Sequence, residues 1–156
     1  MKSIEQLLIS KSKEYPLLTK EKIYELIKKV QKYNQLNVDS KKINKKDMDK
    51  IKDDAMEARD IICYSNIRLV MSIANRYKIP SSSYNDLVNE GFMGLQKAIE
   101  QFDITFDKEF STYATYWITH YIQRYICDYH FTIRIPVHAR TEMNRLNREI
   151  ENYQLD

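Results

Sequence analysis

Between Phe110 and Ile126 the sequence FSTYATYWITHYIQRYI sets Tyr113, Tyr116, Tyr121, Tyr125 and the chain's single tryptophan, Trp117, among His120, Gln123 and Arg124. Flat rings interleaved with hydrogen-bonding side chains suit one kind of chemistry. Such rings stack on unpaired bases for roughly 1–3 kcal/mol each, while Gln, His and Arg read base edges or phosphates. At about 100° per residue the stretch reads as one helix with two faces. Ala114, Ile118, Tyr121, Ile122, Tyr125, Ile126 and Tyr129 point one way and form a sufficient core face. Tyr113, Tyr116, Trp117, His120, Gln123, Arg124 and Cys127 point the other way, where a solvated face would carry lysine and glutamate. Three readings of that second face stand open: a helix buried on both sides, a protein interface anchored by Tyr, Trp and Arg, or a base-reading surface. Periodicity does not separate them.

The elements around this helix follow from pattern and punctuation. Thr19 is an N-cap for KEKIYELIKKVQKY, an amphipathic helix with Ile23, Leu26, Ile27 and Val30 on one face. Residues 37–50 have no apolar period and read as an exposed linker or a polar helix start. A long helix is predicted from about Asp53 to Tyr77, ending before Pro80. Ser83 and Asp86 have capping-box spacing at the head of a helix from Tyr84 to Gln101, whose Tyr84, Leu87, Val88, Phe92, Leu95, Ala98 and Ile99 keep the helical period. Its opposite face carries Asp86, Asn89, Glu90 and Gln96. Residues 102–109 read as a loop, and a last helix begins near Val137 after the extended segment FTIRIP.

Composition bounds the answer. A chain of 156 residues, 43% hydrophobic and 30% charged, is long enough for one packed domain with an extra arm. With two glycines and three prolines it lacks the turn chemistry of an all-β fold, so the fold class is all-α. Cys63 and Cys127 stand far apart with no metal-ligand spacing, which argues against zinc and against a disulfide framework and fits a reducing cytoplasm. No apolar run approaches a membrane span, and the N-terminus lacks a signal-peptide pattern. The sequence shows no carboxylate pair, nucleophile–base set or glycine-rich phosphate loop, so no enzymatic activity and no cofactor are expected. The formal charge is +3, with the lysine excess in the first sixty residues. A nearly neutral C-terminal half binds duplex DNA weakly by charge alone. A nucleic-acid role must therefore use few phosphates, or a partner.

NIRLVMSIANRYKIPSSSYNDLVNEGFMGLQKAIEQFD, then EFSTYATYWITHYIQRYICDYH and TIRIPVHARTEMNRLNREI, closely resemble the bacterial RNA polymerase sigma-70 family through its region two and into the segment after it. The resemblance runs from about Ile62 to Ile150, with a weaker match in YPLLTKEKIYELIKKV to the preceding region. It implies an all-α chain in three parts: an N-terminal helical arm with a polar linker over 1–52, a region-two domain over 53–136 and the start of the following helical region over 137–156. It also implies roles. Asp86, Asn89, Glu90 and Gln96 match the helix that docks on the clamp coiled coil of core RNA polymerase. Tyr113 matches a ring around a flipped adenine of the non-template strand of the promoter minus-ten element. Tyr116 and Trp117 match the aromatic pair that wedges against the upstream edge of the bubble. Asn66, Leu69 and Ser111 match a second flipped-base pocket, and Phe102, Lys108 and Thr112 fall in the same single-strand-binding set. His120, Gln123, Arg124, Arg134 and His138 match positions that meet duplex DNA. The physical exchange is plain: unstacking a base costs a few kcal/mol, and stacking plus hydrogen bonding in a pocket offsets that cost at flexible A·T-rich steps.

This chain also departs from the family pattern. Lys108 stands where an aromatic often stacks on the flipped adenine, which implies weaker or differently built adenine capture. Tyr116 and Trp117 replace two tryptophans, His120 and Gln123 replace the usual Gln and Thr, and Thr141 stands where a glutamate often reads the extended element. The helix-turn-helix that reads the minus-35 element is not matched, so the expectation is either a fragment or a natural short sigma whose upstream recognition needs a separate minus-35-reading polypeptide or does not occur. A different expectation is a sigma-like competitor for core polymerase that does not melt promoters selectively.

Overall fold

A computed structural model describes residues 4–38, 44–77, 83–105 and 108–129, together with isolated helical positions between 139 and 150. The described residues are all-α: α1 (Ile4–Glu14), α2 (Lys20–Val38), α3 (Lys45–Ser65), α4 (Ile67–Arg76), α5 (Tyr84–Gln101) and α6 (Phe110–Tyr129). The FTIRIP segment and the predicted helix start at Val137 lie outside them, as do Arg134, His138 and Thr141.

Helix α2 begins as its sequence predicts. The Thr19 hydroxyl accepts from the Lys22 main-chain N–H at 3.4 Å, covering one donor of the open first turn. Leu26, Ile27 and Val30 are buried and Ile23 packs half-buried beside them. They join one cluster with Ala58, Ile62, Val70, Leu87, Leu95 and Ile118, so the N-terminal arm shares the core of the rest. The boundary expected between residues 52 and 53 falls inside α3, which crosses it unbroken.

The long helix expected from about Asp53 to Tyr77 is corrected at both its start and its middle. α3 starts at Lys45, and the helix breaks at Asn66. There the backbone takes φ −102° and ψ 8°, the bridge conformation rather than the helical one. The Asn66 amide Nδ2 donates to the Ile62 carbonyl at 2.9 Å, and its main-chain N–H reaches the Ile62 and Cys63 carbonyls at 3.1 and 3.2 Å. An asparagine side chain that competes for helix carbonyls ends one helix, and its own carbonyl starts the next by accepting from Leu69 and Val70.

Helix α5 spans the predicted residues, but the capping box does not form. Ser83 is the N-cap without a side-chain cap bond, and Asp86 is linked to it only through main chain, N–H to the Ser83 carbonyl at 3.1 Å. The partner of the Asp86 carboxylate lies instead on α6. Close approach of α4, α5 and α6 is set by two glycines. A Cβ at Gly94 would lie 2.6 Å from the Trp117 carbonyl oxygen and 2.8 Å from the Ile118 Cα, whereas one at Gly91 would meet the Val70 side chain at 2.7 Å. Helix α6 therefore lies against the backbone of α5 with its Ala114, Ile118, Ile122 and Ile126 stripe fully buried.

Candidate nucleic-acid interface

The two faces of α6 are neither equally open nor uniform along their length. Tyr116 is 65% exposed, and its ring stacks on His120 with centroids 6.3 Å apart and planes 10° from parallel. Both present to the edge of Trp117, at 5.9 and 6.3 Å, and Tyr113 adds a further edge contact to Trp117 at 6.4 Å. Trp117 is thus the hub of the ring cluster. It is half-buried, and its Nε1 is sealed from solvent with no hydrogen-bond partner among the described residues. The second face is consequently divided along the helix: Tyr116, His120, Gln123 and Arg124 face solvent, while Tyr113 and Trp117 lie half in the protein. Two residues change sides from their expected faces. Cys127 is 3% exposed, and Tyr129, expected on the core face, is 76% exposed.

Tyr113 is held from below. Its hydroxyl donates to the Gln101 carbonyl at 3.2 Å and its ring meets the edge of Phe102 at 5.5 Å. Phe102, grouped with the strand-binding residues by resemblance, is only 3% exposed and packs on Tyr24, Phe110 and Tyr113. Its ring supports Tyr113 rather than meeting solvent. Lys108 is exposed, and its carbonyl accepts from the Tyr24 hydroxyl at 3.0 Å. Gln31 Nε2 donates to the Phe102 carbonyl at 2.7 Å. The loop before α6 is therefore pinned by α2, and within it the Asp103 carboxylate accepts from the Thr105 hydroxyl and main-chain N–H at 2.7 and 2.8 Å. Those bonds hold the Asp103 carboxyl below the usual carboxylate range.

The remaining expected residues divide into groups. Ser111 and Thr112 are exposed on the first turn of α6, next to Tyr113 in sequence. Asn66 and Leu69 are half-buried at the α3–α4 break, where the Asn66 amide is already spent on the Ile62 carbonyl. Farther along α6, Gln123 Nε2 donates to the Tyr77 hydroxyl at 3.1 Å, and the Arg124 guanidinium lies 3.7 Å from the Asp128 carboxylate. On α5, Asp86 and Asn89 are exposed, with Glu90 and Gln96 half-buried. Sequence reasoning missed the supporting residues Tyr24, Gln31 and Tyr77. Each acts across a long stretch of chain, and spacing within its own helix carries no signal of that.

These rings and carbonyl ties lie in the part of the chain that is similar to known proteins. Residues 64–130, from the last turn of α3 through the whole of α6, match the family model described as Sigma-70 region 2. Over that stretch the chain is similar to the sigma-70 family. It is 47% identical over 95 residues to the RNA polymerase sigma factor SigA of Lactococcus lactis subsp. cremoris, a match that covers 61% of this chain and 26% of that one. It is 48% identical over 93 residues to the RNA polymerase sigma factor SigA of Listeria monocytogenes, covering 60% of this chain and 25% of the relative. The alignments thus span about a quarter of the length of these curated relatives. The matched stretch includes α4, α5 and α6, while α2, which braces the loop before α6, precedes it.

Proposed function

We propose that this chain acts as an RNA polymerase sigma factor, or as the region-two portion of one. It binds core RNA polymerase through α5, recognises the promoter minus-ten element through α6, and captures flipped non-template bases to open the DNA. It performs no catalysis of its own and works in the cytoplasm beside the polymerase. The observation that carries this reading is the exposed Tyr116–His120 stack abutting the Trp117 edge. It is a wall of rings with an open flank at the head of a helix whose other stripe is fully core. A base unstacked from the duplex regains its lost stacking against such a wall. Tyr113, Ser111, Thr112 and Lys108 lie toward the loop, where the captured base would be seated. His120, Gln123 and Arg124 continue the surface toward duplex, and the family resemblance adds Arg134 and His138 to the duplex-binding set. Asn66 and Leu69 line a second, more recessed base site. Asp86, Asn89, Glu90 and Gln96 form the face toward the clamp coiled coil of the largest polymerase subunit.

The test is fluorescence anisotropy of a labelled non-template oligonucleotide carrying TATAAT, titrated with the chain in the presence of bacterial core polymerase. A scrambled oligonucleotide and core alone are the controls, and co-elution first establishes that the chain binds that core. Selective binding that depends on the chain supports the proposal. Core binding without selectivity supports the second reading, a competitor that occupies polymerase without melting promoters. That reading is favoured by the exposed Lys108 at an aromatic position and by the internal partners of Gln123 and Arg124.

A further inference from the structure

A polar side-chain contact joins the helix that carries the rings to the helix that carries the acidic face, at the end of α6 remote from Tyr113. The Tyr125 hydroxyl donates to Oδ2 of Asp86 at 3.3 Å. Tyr125 is half-buried, its ring tilted onto Tyr129 with centroids 5.2 Å apart, so the hydroxyl is directed by ring packing. Asp86 has two possible anchors. As the third residue of α5 it could fold back onto the open N–H groups of the first turn, which favour a carboxylate. The missing capping box leaves that alternative unused, and the carboxylate lies toward α6. Burial of the phenol, together with the Asp86 and Glu90 charges, pushes Tyr125 above its ordinary value, so the hydroxyl remains a donor at neutral pH.

We infer that Tyr125 is a positioning residue for core-polymerase binding: its hydroxyl holds the Asp86 carboxylate away from the α5 N-terminus and presents it to a cationic side chain of the partner. The inference rests on the reading that Asp86 faces polymerase. A carboxylate fixed by one neutral donor keeps its remaining lone pairs for an arginine or lysine, and a fixed acceptor loses less conformational freedom on binding than a free one.

A double-mutant cycle on the full chain tests this, with equilibrium binding to core polymerase as the readout and thermal melts as the check on folding. Tyr125→Phe, which keeps the ring and removes only the hydroxyl, is expected to weaken core binding about three- to tenfold. Asp86→Ala weakens it at least as much, and the double variant binds no worse than Asp86→Ala alone. Binding of the TATAAT oligonucleotide by preformed complex at saturating core is unchanged in Tyr125→Phe. If Asp86→Ala is weakened while Tyr125→Phe matches wild type, or if the two losses add, the positioning role is overturned and the polymerase-facing reading of α5 survives. If Asp86→Ala binds as wild type, that reading falls and the inference with it.

Discussion

The Tyr113 hydroxyl donates to the main-chain carbonyl of Gln101 at 3.2 Å, tying the second turn of α6 to the last residue of α5. The tie fixes a ring that would otherwise swing about its χ1 axis, and it uses a carbonyl that the end of α5 leaves without a helical partner. Tyr113→Phe removes the tie and keeps the ring. The expected loss is about 1 kcal/mol of stability, seen as a modest fall in the urea midpoint. A weaker hold on the TATAAT oligonucleotide accompanies it, because the freed ring must be ordered again on binding.

Tyr116→Ala and Trp117→Ala should impair promoter opening while leaving core binding intact, measured by permanganate reactivity of bubble thymines alongside co-elution. Tyr116→Ala removes an exposed ring and costs stacking alone, roughly 1–3 kcal/mol per base lost. Trp117→Ala also removes the hub that four neighbouring rings abut. It should lower the melting temperature as well as opening, whereas Tyr116→Ala should lower only opening. Equal loss of opening and core binding in a folded Tyr116→Ala protein would count against the assignment of that face.

Much of this frame was legible in the residues. The bounds of α5 and the start of α6 follow from period and punctuation, and the Thr19 cap is where a threonine before KEKIYEL should place it. Less of the α3–α4 corner was legible. Asn66 interrupts an apolar period that runs on across it, and the break shows only in its backbone angles and its side-chain bond to Ile62. The start of α3 at Lys45 was hidden because a polar first turn has no apolar stripe to reveal it. On α6, Cys127 and Tyr129 show the limit of periodicity: it gives a direction from the helix axis, but burial depends on what lies alongside that particular turn. Phe102 shows a second limit. Family position groups it with strand-binding residues, and only the packing reveals it as the floor beneath Tyr113.

Gly94→Ala should destabilise the chain despite the gain of about 1 kcal/mol that alanine brings over glycine in a helix interior. The added methyl would meet the Trp117 carbonyl and the Ile118 Cα, backbone atoms that move only if α6 moves. A net loss of about 1–3 kcal/mol is expected from overpacking, read from the denaturant midpoint. Gly91→Ala should cost less, since the Val70 methyl facing it belongs to a side chain.

Alkaline titration should weaken the fold through Cys63. Burial, reinforced by the charge of Asp60, pushes its thiol up to about 12 from an ordinary value of 9.0. Below 9 the thiol is protonated in folded and unfolded chains alike, and the contribution does not vary with pH. Between 9 and about 12 the unfolded chain loses this proton while the folded chain keeps it, so stability falls as pH rises. Cys63→Ala should flatten that part of the curve in urea melts taken from pH 8 to 10.5. Native Cys63 should also alkylate far more slowly than the same residue in urea, because the thiolate is the reactive form.

The absence of a side chain at Gly94 has a mechanical side. Most helix pairs meet through a cushion of side chains that can change rotamer and absorb a small displacement. At Gly94 that cushion is missing, and backbone bears on backbone at the residue that carries the tryptophan. A push on α5 from a docked partner would reach the ring cluster of α6 with almost no play, as through a splined shaft rather than a spring. Docking and strand capture would then share one rigid lever, and the sharpness with which the rings address a base would be set by the seating of α5.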